Sequence, residues 1–444
     1  MLFKNADRII LNGTTATLRQ KRHDALEMLS AGIDAVDPYR VVKQRLHGCH
    51  LEVDAESIDF STFDHVYVVG FGKASVGMAR ALLDTLPITH GSIITNDSSA
   101  TLNHPSLDVH VGSHPLPTQE NIRATEKLLS LLYKCTDHDG VIVLISGGGS
   151  SLLCKPRVSL SDLQLTTKLL LLSGATIQEM NTVRKHISYV KGGQMVQQTK
   201  AVVFSLIISD IVGDPLDAIA SGPTTPDPTT YADAKTVLET YALWKKIPTR
   251  VRTVITDGIA ARLPETPKPD DPIFSKVFNY LIANNTLACN AIEKKAKELG
   301  YQPTIVTTSL TGEARKMGAY LIDKAQHSLM KEKAVFISGG ETTVHVTGTG
   351  EGGRNQELVL GSLQHMTESN IVIGSCGTDG IDGNSSAAGA IADSQTLVRA
   401  KQKKLSPNNF LQKNNSYEFF SRLKDTLITG PTGTNVMDLQ IILR

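Results

Sequence analysis

The sequence predicts an α/β protein of two three-layer α/β/α domains, each a sheet held between helices. Three observations carry this: short β-branched runs recur along the chain, amphipathic helical stretches separate them, and a proline-dense segment interrupts the pattern past its middle. The runs lie at 66–69, 141–146, 202–208, 335–338 and 371–375. Their nearly continuous apolar character suits strands buried on both faces. The run at 141–146 is followed by a helical pattern over 160–172, the succession expected of parallel βαβ units.

The segment PETPKPDDP (264–272) places four prolines in nine residues, which suits an extended linker and forbids a continuing helix or a central strand. The expected organisation is a first domain over 1–263, a linker over 264–272 and a second domain over 273–444. A strand ending in Ser-Gly-Gly occurs on each side of the linker, at 146–148 and 338–340, although two glycine turns do not establish a duplication.

At 444 residues the chain exceeds the size at which one core stops growing, roughly 250–300 residues. With 41% hydrophobic and 20% charged residues it is neither disordered nor built for a membrane. Lysine plus arginine (45) balances aspartate plus glutamate (44), so no global field draws the chain to nucleic acid or an acidic membrane, and small molecules are the expected partners. The five cysteines (Cys49, Cys135, Cys154, Cys289 and Cys376) are scattered and form no CxxC pair. That excludes a zinc knuckle or a disulfide framework and points to the reducing cytoplasm. No apolar stretch reaches about 18 residues, and polar residues begin at Lys4 and Asn5, so neither a membrane span nor a signal peptide is expected. Monomer and homodimer remain equally open.

In open α/β sheets ligands bind beyond the carboxyl ends of the strands, so the residues that follow each run are the candidates. VVGFGKASVG (68–77) reads as strand, glycine turn and helix start. Its Gly70 and Gly72 match neither GxGxxG nor a P-loop, yet Lys73 falls where the helix dipole favours an anion. After VIVLI come Ser146, Gly147, Gly148, Gly149, Ser150 and Ser151, a run that lets backbone amides and hydroxyls approach a phosphate. SLIISDIVGDP (205–215) offers Asp210 and Asp214 after a strand, suited to Mg²⁺ or to taking a proton from a hydroxyl. Asp214 also reads as plain turn chemistry, which leaves Asp210 as the better candidate. SGPTTPDP (221–228) reads as a rigid loop.

ETTVHVTGTGEGGRNQE (341–357) is a glycine-dense loop running into a helix. Arg354 at the helix start suits a bidentate grip on carboxylate or phosphate, or a salt bridge to Glu357 one turn on. His345, between two valines, reads as a solvent-facing strand residue. GTDGIDGN (377–384) sets Asp379 and Asp382 three apart after a strand, where metal or proton chemistry competes with an Asp-Gly turn. An EF-hand is excluded because its closing glutamate is absent. The basic run at 399–404 reads as a solvated helix end.

Together these motifs resemble the class II glycerate 2-kinases, whose second half is the MOFRL domain. The resemblance runs through VGFGKAS (69–75), ISGGGSSLL (145–153), NTVRKHIS (181–188), KGG (191–193), SDIVGDPLDAIASGPT (209–224), SGGETTV (338–344), GEGGRNQE (350–357), GTDGIDG (377–383) and TGPTGTNVMDL (429–439). It implies a Rossmann-like first domain with a mostly parallel sheet, a MOFRL second domain and a cleft between them. The implied reaction is ATP- and Mg²⁺-dependent phosphorylation of D-glycerate at its 2-hydroxyl. The resemblance also implies catalytic roles for Lys73, Asp210 and Arg354, and a binding set that adds Lys185, Glu341, Gly353 and Asn355 to the glycine turns. Asp210, Asp379 and Asp382 are the metal candidates. In that reading Arg354 holds the glycerate carboxylate, Asp210 orients or deprotonates the hydroxyl, and Lys73 steadies the phosphoryl group. Where the family usually has Thr-Asp after TDGxDG, this chain has Ser385-Ser386, so one expected carboxylate is missing. The competing readings are an NAD(P)H-dependent hydroxypyruvate reductase and a non-catalytic binder of organic acids or nucleotides.

Overall fold

The computed structural model describes residues 2–102, 104–329 and 333–444. A small antiparallel sheet comes first along the chain (β1, Leu46–His47; β2, His50–Val53; β3, Glu56–Asp59). Six strands then form a sheet in the order β6-β5-β4-β7-β8-β9: β4 (Val66–Phe71), β5 (His90–Thr95), β6 (Leu107–Val111), β7 (Gly140–Ile145), β8 (Val202–Ile208) and β9 (Val277–Ala283). The pairings from β6 through β8 are parallel. Buried on both faces, β7 has no exposed position, and that is why it reads as an unbroken apolar run.

A second six-stranded sheet has the order β10-β11-β15-β12-β13-β14: β10 (Gln302–Leu310), β11 (Ala334–Gly340), β12 (Val372–Gly377), β13 (Gly389–Asp393), β14 (Thr426–Leu427) and β15 (Asp438–Leu443). It is mixed. β10 and β11 are parallel, whereas β15 runs antiparallel to both of its neighbours. Among the described residues no helix is long and apolar enough to cross a membrane.

The chain groups into compact units that differ from a cut at the prolines. One unit comprises residues 1–37, 210–213 and 283–444; the other comprises 38–209 and 214–282. Helix Ala16–Asp34 packs with the mixed sheet because its side chains find their partners there. Arg22, fully buried, donates to Asp393 at 2.6 Å and to Asp425 at 2.8 Å. A methyl at Gly32 would stand 2.8 Å from Ile292, and one at Gly374 would stand 3.2 Å from Leu29, so both glycines admit the close approach of their neighbours. Removing one partner of such a buried pair costs about 3–5 kcal/mol.

The proline-rich segment is likewise packed down rather than extended as a linker. Thr266, 3% exposed, donates to Asp227 at 3.0 Å, Lys268 donates to the Thr229 carbonyl, and Glu265 lies 3.0 Å from His186 Nε2. Prolines exclude regular structure here, but the polar residues between them anchor the segment to helix Ile177–His186 and to the loop that carries Asp227.

Candidate functional site

In the unit comprising 38–209 and 214–282 the turns after β4 and β7, neighbouring parallel strands, are stitched together. The Lys73 N–H donates to the Gly147 carbonyl at 2.9 Å, and the Ala74 N–H donates to Ser146 Oγ at 3.0 Å. Gly72 has φ +130°, and a Cβ there would meet Ser146 Oγ at 2.2 Å, so glycine is required by conformation and by space. Gly70, still within β4, leaves room for Ile93, which a Cβ would meet at 2.8 Å. The hydroxyl of Ser146, 2% exposed, thus holds the neighbouring turn in place.

Gly148, at φ +84°, opens the short helix Gly149–Leu152; a methyl on it would stand 3.2 Å from His114 and 3.6 Å from Lys73. His114, which the sequence reading missed, therefore borders the same turn as Lys73, and its imidazole is pushed below its ordinary value by burial and then by the Lys73 charge. Ser150 Oγ lies 2.9 Å from Ser221 Oγ, which donates to Asn181 at 3.0 Å, while Ser151 Oγ donates to the Pro115 carbonyl at 2.5 Å. Ala220 and Ser221, with φ of 51° and 63°, are non-glycine residues in the left-handed region. Strain of this kind persists only where the surroundings over-determine it.

Of the two nearby lysines, Lys191 supports this turn and Lys185 is engaged elsewhere. The Lys185 ammonium is buried between Asp217 at 3.2 Å and Asp227 at 3.3 Å, an ion-pair arrangement rather than one open to a ligand. Lys191, singled out earlier only as part of KGG, donates to the Ser150 carbonyl at 2.6 Å and to Leu153 at 3.3 Å. Burial pushes its ammonium down to about 8, with Arg184 acting in the same direction and Cys154 against it. Asp210 follows β8 by two residues and is partly buried.

In the other unit, β11 ends at Gly339 and Gly340 against crowded neighbours. A Cβ on Gly339 would fall 1.7 Å from Asn285 Oδ1. The loop that follows ends at Gly353, the N-cap of helix Arg354–Ser362, where a Cβ would stand 2.3 Å from Asp382 Oδ1. Arg354 makes a bidentate pair with Asp438, Nε at 2.6 Å and Nη2 at 3.1 Å, and its Nη1 lies 2.6 Å from Glu341. Burial opposes its charge, but Asp438 and Glu341 outweigh burial and hold the guanidinium firmly protonated. The salt bridge to Glu357 weighed above does not form: Glu357 accepts instead from Arg315 at 2.9 Å and from Asn414 at 3.2 Å. Asn355 donates to Asp438 at 2.9 Å and accepts from Ser375 Oγ at 2.6 Å.

Asp382, one of the metal candidates, is engaged at the start of helix Arg354–Ser362. Its carboxylate accepts the N–H groups of Asn355 at 3.0 Å and Gln356 at 2.9 Å, and their side-chain amides at 3.3 and 2.8 Å. It caps the helix, so both oxygens already meet donors that a metal would have to displace. Burial is the first cause that pushes this carboxyl up, to about 6; the N–H donors act against it and Asp438 adds to it. Among the described residues no group of three or more His, Cys, Asp or Glu side chains is placed to hold a metal ion. Asp379 accepts the Ile381 N–H at 3.1 Å, an Asx turn. Ser385 Oγ accepts from Gln356 at 2.8 Å, and the exposed Ser386 lies 3.1 Å from the Tyr417 hydroxyl.

Two smaller expectations change. His345 is exposed but lies in irregular backbone rather than a strand. Arg399 departs from the solvated run, pairing with buried Asp425 at 2.7 Å, while Lys401, Lys403 and Lys404 are exposed at the helix end. Asp438, the residue that organises the Arg354 cluster, went unnoticed because it opens an apolar strand 84 residues away.

Two open α/β sheets whose strand ends carry glycine turns, lysines and arginine-bound carboxylates define the class of α/β proteins that bind small ligands at strand carboxyl ends. Residues 24–256 match the domain of unknown function DUF4147, and residues 334–438 match the MOFRL family. The chain is 40% identical to the glycerate 2-kinase of Pyrococcus horikoshii, over 95% of this chain and 97% of that one. A protein of Agrobacterium vitis described as a putative hydroxypyruvate reductase is 37% identical, over 85% of this chain and 86% of its own length. The crystal structure of a glycerate kinase from Thermotoga maritima superposes with a TM-score of 0.83 at 39% identity, covering 95% of this chain and 98% of that one. The chain belongs to the class II glycerate 2-kinase family.

Proposed function

We propose that this chain transfers a phosphoryl group from ATP to the 2-hydroxyl of D-glycerate, giving 2-phosphoglycerate and ADP, and that it does so in the cytoplasm. The observation that carries the reading is the stitched pair of turns, which brings Lys73 beside Gly147 and Gly148 at the carboxyl ends of adjacent parallel strands. Phosphoryl transfer is chiefly a matter of positioning and charge stabilisation, and a lysine beside a glycine turn supplies both.

In this reading Lys73 and the turn at 147–151 hold phosphate oxygens. The hydroxyl oxygen of glycerate bonds to the γ-phosphorus as the bond to the β–γ bridging oxygen breaks, and the hydroxyl proton passes to Asp210. Arg354, held on one side by Asp438, engages the glycerate carboxylate in exchange for Glu341, its partly exposed partner. A divalent ion bound with the nucleotide would neutralise phosphate charge and would need only one or two protein carboxylates. Asp210 and Asp379 are the candidates, and Asp382 is not.

A coupled assay of ADP release over a panel of small hydroxy acids tests the proposal, with the phosphorylated position read by ³¹P NMR. D-Glycerate giving no ADP would overturn it. Lys73→Ala should lower kcat by orders of magnitude with an unchanged circular dichroism spectrum. Near-normal turnover would remove Lys73 from the mechanism. The reductase reading draws on the description of the A. vitis relative, and it requires hydroxypyruvate-dependent loss of NADH absorbance. The turn at Gly70 and Gly72 lacks the third glycine of a dinucleotide site, which favours the kinase.

A further inference from the structure

We propose that a cleft of about 700 Å³ in the unit containing the mixed sheet, lined by Ala16, Thr17, Lys21, Lys333 and Arg444, is a second ligand site that binds a small phosphate-bearing anion. It shares no lining residue with the glycine turns or the Arg354 cluster, and it stands independently of the kinase reading. Its volume lies within the range of small-molecule sites, about 300–1,000 Å³.

The charge of its lining selects the ligand. Among the described residues, three cationic side chains (Lys21, Lys333 and Arg444) share the lining with one side-chain carboxylate, Glu368. Arg444 already grips that carboxylate with Nε at 3.0 Å and Nη2 at 2.9 Å, whereas the Lys21 ammonium donates to a neutral acceptor, the Asn370 carbonyl, at 2.9 Å. Ala16 and Thr17 belong to the first turn of a 19-residue helix that carries no acidic residue in that turn, so the positive end of the helix adds to the same field. The Lys21 ammonium is pushed below its ordinary value, by burial first and then by Arg444. A bound dianion would reverse that shift.

The floor is built in advance. The Arg444 side chain is 8% exposed and also donates to the Ala325 carbonyl at 2.8 Å, so its guanidinium is held before any ligand arrives. Tyr301 uses its hydroxyl on Asp24 at 2.7 Å, which leaves its ring as an apolar wall for the carbon part of a ligand. A phosphate, with acceptors in several directions, suits donors converging from a helix end and two lysines better than a single carboxylate does.

The test is residue-specific acetylation of the full-length chain by an N-hydroxysuccinimide ester, read by mass spectrometry. The probes are pyrophosphate and glycerol 3-phosphate, with potassium chloride at matched ionic strength as the control. A probe at saturating concentration should slow acetylation of Lys21 and Lys333 by about fivefold or more, with no change at the exposed Lys297 and Lys316. Protection of Lys21 should disappear in Lys333→Gln. Protection by glycerol 3-phosphate alone assigns the site to phosphomonoesters, and protection by both probes assigns it to phosphate in general. The proposal falls if neither probe protects, or if chloride protects equally. Because each lysine reports on itself, anion binding elsewhere in the chain cannot mimic the result.

Discussion

At Ser146-Gly147-Gly148 the chain leaves a parallel strand and turns into a short helix, whereas at Ser338-Gly339-Gly340 it completes a strand whose neighbour β15 runs antiparallel. The two tripeptides share their letters, but their glycines answer different demands. Gly148 supplies a left-handed turn beside Lys73 and His114; Gly339 has an extended partner strand and yields its side-chain space to Asn285. The charges around them differ as well. Lys73, Lys191 and His114 gather near the first turn, while Glu341, Asp382 and Asp438 surround Arg354 near the second. Glycine after a strand therefore marks close backbone approach, and only the surrounding charges tell which chemistry the approach serves.

The comparison breaks most visibly if glycine is removed. Gly339→Ala should cost on the order of 4 kcal/mol or more, seen as loss of the cooperative urea transition or a large drop in its midpoint, because Asn285 is anchored by its own bonds to the Val436 and Asp438 carbonyls. A stable Gly339→Ala protein would show that Asn285 can move aside. Next in size, Arg354→Met leaves the buried Asp438 and its neighbours without their cation. A loss of about 3–5 kcal/mol is expected, measured by urea denaturation, together with loss of turnover. Lys73→Met should instead reduce turnover with stability changed by less than about 1 kcal/mol.

Lys191→Met sharpens the contrast within the first region. It leaves the Ser150 and Leu153 carbonyls without that donor, at a cost of about 1–3 kcal/mol, and the loosened turn should raise KM for ATP more than it lowers kcat. Equal effects on the two constants for ATP and glycerate would reduce Lys191 to a general stability role. The smallest effect is a pH dependence. Asp382, pushed up to about 6 from an ordinary value near 3.9, binds its proton more tightly in the folded state. Its contribution to stability is therefore complete below the ordinary value and is lost as pH rises through about 6. Unfolding free energies across that window should fall in the wild type and stay flatter in Asp382→Asn.

Much of the architecture was legible because its signals are local. Every apolar run chosen from the sequence is a strand, and the helix expected over 160–172 spans Leu160–Ser173. Lys73, Gly72 and the 146–151 turn also stood out, since a charged or glycine-rich stretch directly after an apolar run needs no distant partner to be noticed. The proline segment misled because proline content reports what a backbone cannot form; it does not report what its side chains reach. Asp382 was ambiguous in another way. An aspartate between glycines looks the same whether it binds a metal or caps a helix 28 residues earlier in the chain, and only the four N–H groups that meet it decide.

By itself the sequence determined the α/β class, the strands and the glycine turns that follow them, because periodicity and turn chemistry act over a few residues. Tertiary structure alone decided that helix Ala16–Asp34 joins the mixed sheet, that Asp438 holds Arg354, and that Lys191 supports the Ser150 turn. Each of those choices pairs a buried charge with a partner dozens to hundreds of residues away, and a buried charge is tolerated only where the completed fold supplies that partner.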